Sequence, residues 1–364
     1  MAFYITDYNV TEPHAVALED CIMKKGSPAT AGSKMLENFV SPFDATVVDR
    51  LRDVGIPISG KTRMPEFGIS GFFADKPEEL SGSVRAVVEN AIPFCLCNDV
   101  FGLYRRQAAE NGLCYIHPTY GTVSRYGLIP LASSMDQIGV LCRDMADGFS
   151  LLATIAGHDP NDGAMFPEKN YHYQKVEKDM TVCVPSAIVN LTDKHTQDCI
   201  RDFAEKFNVV DEPLEYFDVY QQTITILSCA EISNNISRYD GIKFGYRSPN
   251  SPNLESLYTK TRTEAFGLET KLAAIMGAMV LSHEHYAPYY EKAMKIRRLI
   301  KQSLRFDKYD VIVLPTASDC GVAALPALAG LPAISFSYQG CGIQLVANVK
   351  NENALLTVYE VSQS

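Results

Sequence analysis

Short apolar runs of strand length recur along this chain with helix-patterned segments between them. That alternation restricts the fold more than any other feature of the sequence. Residues 15–18 and 56–58 are such runs. Between them, Val47, Val48, Leu51 and Val54 fall at helical spacing over residues 45–54, with Asp44 placed to cap the helix. Further on, 84–90 reads as helix and 92–97 as a buried strand, and 145–156 is an amphipathic helix ended by Gly157. A strand over 181–185, a helix over 193–207 and a strand starting at Val209 and Val210 follow. Helices are predicted over 221–238, 261–281 and 285–304, the last two separated near Ser282. Strands over 310–314 and 333–336 and a helix over 353–361 complete the pattern. This is an α/β fold class with a largely parallel or mixed sheet. No repeat and no linker richer in Gly, Pro or Ser than an ordinary loop divides the chain; 248–252 is the best loop candidate, and a division near 169–178 is the alternative.

A chain of 364 residues with 46% hydrophobic and 21% charged residues has enough apolar surface for a large core and is not a disordered polymer. Its net charge of −10 and lack of any basic run argue against direct nucleic-acid binding. No stretch has the roughly 18–20 apolar residues of a membrane span, and residues 1–8 lack the basic-then-apolar pattern of a secretory leader. Ten scattered cysteines, with Cys95 and Cys97 the closest pair, read as reduced core thiols of a cytoplasmic protein. No metal or other cofactor is expected. In His283-Glu284-His285 the imidazoles would point about 200° apart on a helix, away from any shared ion. No Gly-rich turn is followed by Lys-Ser/Thr as a phosphate cradle requires.

Residues 34–51 (KMLENFVSPFDATVVDRL), Gly60-Lys61-Thr62, 117–139 (HPTYGTVSRYGLIPLASSMDQIG) and 155–162 (IAGHDPND) carry a second kind of information. So do 237–246 (SRYDGIKFGY), 261–267 (TRTEAFG), 296–302 (IRRLIKQ), 328–335 (LAGLPAIS) and 343–345. Together, in this order, they resemble the amidase signature family, most closely its branch of glutamyl-tRNA(Gln) amidotransferase A subunits, from about residue 13 to residue 361. The resemblance implies one domain over 1–364, with a central mixed β-sheet covered by helices on both faces. It implies a trimmed N-terminal extension and shortened loops near 68–80 and 316–328. It also implies amide hydrolysis by a serine nucleophile, whose proton passes to a lysine through a bridging serine while Gly-rich backbone N–H groups hold the oxyanion.

Carried over position by position, that machinery is missing. Glu19 of Val16-Ala17-Leu18-Glu19-Asp20 stands where the lysine belongs. Counting back from Asp99 without gaps puts Glu79 at the bridging serine, and Asp99-Val100-Phe101-Gly102-Leu103 puts Leu103 at the nucleophile and Phe101 at a glycine. Leucine cannot form an acyl-enzyme. A gap of a few residues would bring Ser81 or Ser83 to the bridge without restoring nucleophile or lysine. The aspartate that grips a glutamine amino group in the family has no aligned counterpart; Asp319 is nearby but displaced.

Three readings follow. In the first, the chain is a catalytically inactive relative that serves as a structural or regulatory subunit, with a B- or C-subunit-like partner or self-association. In the second, Glu19 and Glu79 face each other and do new chemistry: as an acid–base pair, as a cation site with Asp99, or held by Arg105 or Arg106. In the third, a pocket lined by Leu103, Tyr246 and Arg297 binds an amino acid or amide. Arg297 would then meet the carboxylate, as its aligned counterpart does in the family; otherwise it makes a helix-surface salt bridge. For Tyr246 the alternative is a packed aromatic with its hydroxyl bonded to backbone.

Overall fold

Alternate residues of the central strands face opposite sides of one sheet, and both sides are apolar. The computed structural model describes residues 3–10, 12–69, 79–89, 91–316 and 320–364. Its strands are β1 (Tyr4–Asp7), β2 (Val16–Glu19), β3 (Ile58–Thr62), β4 (Phe94–Asn98), β5 (Cys114–His117), β6 (Ile138–Cys142), β7 (Thr181–Cys183), β8 (Asn208–Val210), β9 (Val311–Pro315), β10 (Ala333–Tyr338) and β11 (Cys341–Ala347). Val16, Leu18, Leu96, Ile116 and Val140 join one core cluster. Their neighbours Ala17, Cys95, Cys97, Tyr115 and Leu141 join another on the opposite face. A sheet buried on both faces is why these strands read as unbroken apolar runs rather than as alternation with polar residues.

The sheet order is β1-β3-β2-β4-β6-β5-β10-β11-β9-β7-β8. It is mixed: β2 runs parallel to β3 and β4, and β7 parallel to β8 and β9. The remaining pairings are antiparallel, including β4 with β6 and β10 with both β5 and β11.

The helices are α1 (Thr46–Asp53), α2 (Gly82–Val88), α3 (Leu103–Glu110), α4 (Met145–Ile155), α5 (Ser186–Val189), α6 (Lys194–Ala204), α7 (Tyr220–Ile236), α8 (Leu254–Ala265), α9 (Leu268–Val280), α10 (Lys292–Ser303), α11 (Cys320–Ala329) and α12 (Glu352–Gln363). α2 and α3 supply Val84, Ala86, Val87, Leu103, Tyr104 and Ala108 to the core of one face. α1 and α4 supply Val47, Val48, Leu51, Phe149 and Leu152 to the other.

Several elements differ from the sequence reading for visible reasons. Asp44 does not cap α1; its carboxylate accepts from the Lys25 amide at 2.7 Å and pairs with Arg52, and Ala45 holds the cap position without a side-chain bond. The helix expected over 261–281 is interrupted at Phe266 and Gly267. There the carboxylate of Glu66 accepts from Gly267 N at 2.8 Å and from the Thr270 hydroxyl, taking up donors that open a new helix. The helix expected from 285 begins as a wide π-type turn over Tyr286–Glu291, where Pro288 has no N–H to give. The expected strand over 56–58 is β3, shifted to Ile58–Thr62. The expected shortening near 68–80 and 316–328 falls partly, and Asp319 wholly, outside the described residues.

Candidate functional site

Three parallel strands end side by side at one edge of the core: Glu19 closes β2, Thr62 lies opposite it on β3, and Asn98 closes β4. Such carboxyl ends are where open α/β sheets place ligands. Here, among the described residues, the side chains at these ends are packed into protein. Glu19 is fully buried. Its carboxyl accepts from the Asn98 amide at 2.7 Å, from the Cys21 thiol at 3.3 Å and from the Tyr104 hydroxyl. Burial pushes this carboxyl up to about 7; the three donors oppose the rise and the charge of Asp99 adds to it. The Asn98 side chain continues the network, donating to Asp136 at 2.9 Å and accepting from Gln137 N at 2.9 Å. Asp136 also takes Leu131 N and Ala132 N, and burial raises it to about 6.

The segment after β4 turns sharply into α3. Asp99 accepts from Gly102 N at 2.8 Å and from both the amide and the Nε of Arg105 at 3.1 Å, so one carboxylate holds the first turn of the helix. Gly102 sits at φ +85°, and a Cβ there would overlap Ala323. Both facts demand glycine. Arg105 is 1% exposed and reaches on to Ala323 O at 2.9 Å and Gln344 Oε1 at 3.0 Å. Leu103 opens the helix and is 7% exposed, in the apolar cluster with Ala17, Val84, Cys95 and Cys97.

A serine-type amidase needs a hydroxyl beside an unprotonated amine. Lys61 is the buried lysine of this region. Its Nζ donates to Ile22 O at 2.6 Å and Asp20 O at 3.1 Å, and lies 3.4 Å from Asp20 Oδ1. Burial lowers its pKa, but acceptors surround the amine, and each hydrogen bond that the structure gives it is to a carbonyl oxygen. Ser83 is equally buried and bonds Thr62 Oγ1 at 2.7 Å rather than a lysine. Ser81 caps α2 through Val84 N.

The remaining expected site residues are dispersed. Glu79 is exposed, and its carbonyl accepts from Gln107 Nε2 at 3.1 Å. It therefore does not face Glu19. The carboxylate pair is corrected to a lone buried glutamate whose rise in pKa comes from desolvation, and Asp99 is committed to Arg105 rather than to a shared cation. Among the described residues Arg297 meets no carboxylate directly and makes no surface salt bridge. Its half-buried guanidinium donates to Leu328 O at 2.7 Å, Ser134 Oγ at 2.7 Å and Ser134 O at 2.9 Å, tying α10 to the end of α11. Tyr246 donates to Glu264 at 2.5 Å with Lys34 4.2 Å above its ring, so its hydroxyl bonds a carboxylate, not backbone. Two clefts of about 370 and 740 Å³ are lined by neither Glu19 nor Leu103; the first, beside Arg125 and Arg238, reaches Asp136 at the far end of the network, and the second lies beside Tyr8 and Arg52. Leu103, Tyr246 and Arg297 line neither.

One cluster escaped the sequence reading. His195 and Cys199 on α6 meet Cys341 at the start of β11, their donor atoms all within 4.8 Å of one another. The His-x-x-x-Cys spacing was the available signal, since residues four apart share a helix face.

Among the described residues no helix is long and apolar enough to cross a membrane. Comparison with known proteins finds a match to the family model described as "Amidase" over residues 15–74 and 81–323, a gap that leaves out Glu79. The A subunit of the glutamyl-tRNA(Gln) amidotransferase of Lachnoclostridium phytofermentans is 38% identical over 328 residues, covering 83% of this chain and 66% of the relative. The protein of the same name from Cyanothece is 33% identical over 397 residues, covering 94% and 82%. The crystal structure of the Thermotoga maritima A subunit superposes with a TM-score of 0.75 at 27% identity, over 98% of this chain and 85% of that one. A peptide amidase from Stenotrophomonas maltophilia shares the fold, with a TM-score of 0.77 at 21% identity over 96% and 82%.

Proposed function

Because the chain belongs to the amidase family, we propose that it is a member without hydrolytic activity that acts through contact with another polypeptide, as a structural or regulatory subunit. The observation that carries this reading is the occupancy of the strand ends. An aliphatic Leu103 packed among apolar side chains stands at the expected nucleophile position, and a buried Glu19 held by three donors stands at the expected lysine position. Leu103 has no hydroxyl to attack with, and Glu19 has no amine to take a proton through the relay. Loss of the nucleophile from such a unit typically costs about 10⁶ in kcat.

A second feature supports the partner half of the reading. α9 is apolar on both sides. Ala273, Gly277 and Val280 pack inward, while Leu268, Leu272, Ile275 and Met279, at successive steps of 4, 3 and 4, are 37–73% exposed. Tyr286, Tyr289 and Met294 extend this apolar surface along the chain. A helix with two apolar faces is ordinarily covered on both. The relatives are themselves named as subunits of an amidotransferase, and a B- or C-type subunit is the occupant we assign to this face.

The test is coexpression of the full chain with the B- and C-type subunits of its own genome. A stable heteromer by light scattering, lost in a Leu272→Glu/Ile275→Glu variant, together with no ammonia from glutamine, is the expected result. A monodisperse monomer in their presence removes the subunit role, and ammonia release by the purified chain removes the inactive reading.

A further inference from the structure

The residues that the site does not use include one converging set of soft donors. Cys199 and Cys341 lie 142 positions apart, yet their Sγ atoms are 2.7 Å apart. Both ring nitrogens of His195 lie 3.9 Å from Cys199 Sγ. The two cysteines are 4% and 5% exposed, whereas His195 faces solvent.

The scaffold around them is fixed from both sides. His195, Cys199 and Asp202 repeat at steps of 4 and 3, so they share one face of α6. Asp202 accepts from the Tyr338 hydroxyl at 2.8 Å and from Gln339 Nε2 at 2.7 Å, which fastens the β10–β11 turn to that face. The turn has two residues, Gln339 at φ 48° and Gly340 at φ 82°, with Tyr338 opposite Cys341. Two consecutive positive φ angles make the tight hairpin connection that matches strand twist, so Cys341 has little freedom of position. Asp193, at the cap of α6, adds negative charge near Cys341.

We propose that His195, Cys199 and Cys341 form a binding site for a thiophilic divalent cation of the zinc class, which clips α6 to the β10–β11 hairpin. The third donor is what favours a metal over a disulfide. A tetrahedral ion with Zn–S of about 2.3 Å and Zn–N of about 2.0 Å sets an S···N edge of roughly 3.5 Å, close to the observed 3.9 Å. A disulfide has no use for an imidazole at that distance. Binding requires the sulfurs to open by about 1 Å, to the roughly 3.8 Å edge of the same tetrahedron, a change that rotation of Cys199 on its helix supplies. Two thiol protons leave as the cation enters, so the site stays charge-balanced as a neutral bis-thiolate. Three protein ligands leave a fourth position on the solvent side, beside His195, open to water.

The probe is cobalt(II) added to the full chain after chelation and reduction. One saturable equivalent with thiolate-to-metal charge-transfer bands and tetrahedral visible bands, displaced by zinc, is the expected spectrum. Cys199→Ser and Cys341→Ser should each abolish the charge-transfer intensity. His195→Ala, at an exposed position, should keep both thiolate bands and weaken binding by at least about tenfold, since even outer-shell partners cost that much; unchanged affinity in this variant overturns the three-donor site. Absence of thiolate bands in the wild-type chain overturns the proposal, as do bands unchanged by the two serine variants. Recovery of Cys199 joined to Cys341 from reducing buffer, seen as a linked peptide by mass spectrometry, overturns it in favour of a disulfide.

Discussion

Replacing Glu19 with glutamine removes one titrating group while keeping its shape. The amide oxygen can still accept from Asn98 N, and the Tyr104 hydroxyl can turn from donor to acceptor toward the new NH₂. In the folded protein this glutamate titrates near 7 against an ordinary value of 4.5. A carboxyl whose folded value lies above its unfolded value contributes stability that is intact below pH 4.5 and is lost as pH rises through 7. The full displacement is worth roughly 3 kcal/mol, and most of it falls between pH 5 and pH 8. Glu19 is fully buried, so solvent screening does not reduce it. With about 2.1 cal/mol/K of unfolding entropy per residue over 364 residues, the gap in melting temperature between Glu19→Gln and wild type should widen in favour of the variant by about 3 °C from pH 5 to pH 8. Scanning calorimetry of both proteins at the two pH values measures it. Asp136 and Glu352, whose values burial also raises, titrate in both proteins and cancel in the difference. The same gap at both pH values would refute the assignment of a neutral, desolvated Glu19.

Leu103→Ser should cost about 3 kcal/mol in urea unfolding, from lost apolar burial plus a hydroxyl placed in the cluster, and should release no ammonia from glutamine. Arg105→Met should cost about 3–5 kcal/mol by stranding the Asp99 carboxylate. Adding Asp99→Asn should recover part of that loss; equal costs for the single and double variants would deny the pair its role. Gly102→Ala should destabilise by at least about 2 kcal/mol, through a left-handed φ and overlap with Ala323. An unchanged unfolding midpoint would contradict that backbone geometry.

What the sequence disclosed follows the range of the forces involved. Helix period and apolar runs are local, so α4, α6, α7, α12 and the strands β2, β4, β9 and β10 were readable within a few residues. The strands β5, β6 and β11 were not. They carry Cys, His, Gly and Gln on buried faces, a composition that shows no strand signal until both neighbours are in place. Glu19, taken from the Val16–Asp20 match, closes β2, and Leu103, counted from Asp99, opens the helix that follows β4; both positions are tied to the sheet by short, regular connections. Glu79 failed the same counting because its backbone follows a loop, not a ladder. Tyr104 was invisible as the partner of Glu19, a contact across 85 positions. Cys341 was equally hidden from Cys199, since only the hairpin turn brings it there.

The shell of donors around Glu19 has an evolutionary consequence. A lysine introduced at position 19 would bring its own hydrogens into a chamber where the Asn98 peptide N–H is already aimed at the newcomer and, being backbone, cannot turn aside. The geometry therefore favours the neutral amine, whose lone pair can accept that hydrogen, over the charged one. A hydroxyl at 103 and an amine at 19 would therefore have to arrive together with a new partner for the Tyr104 hydroxyl, so no single substitution assembles the relay.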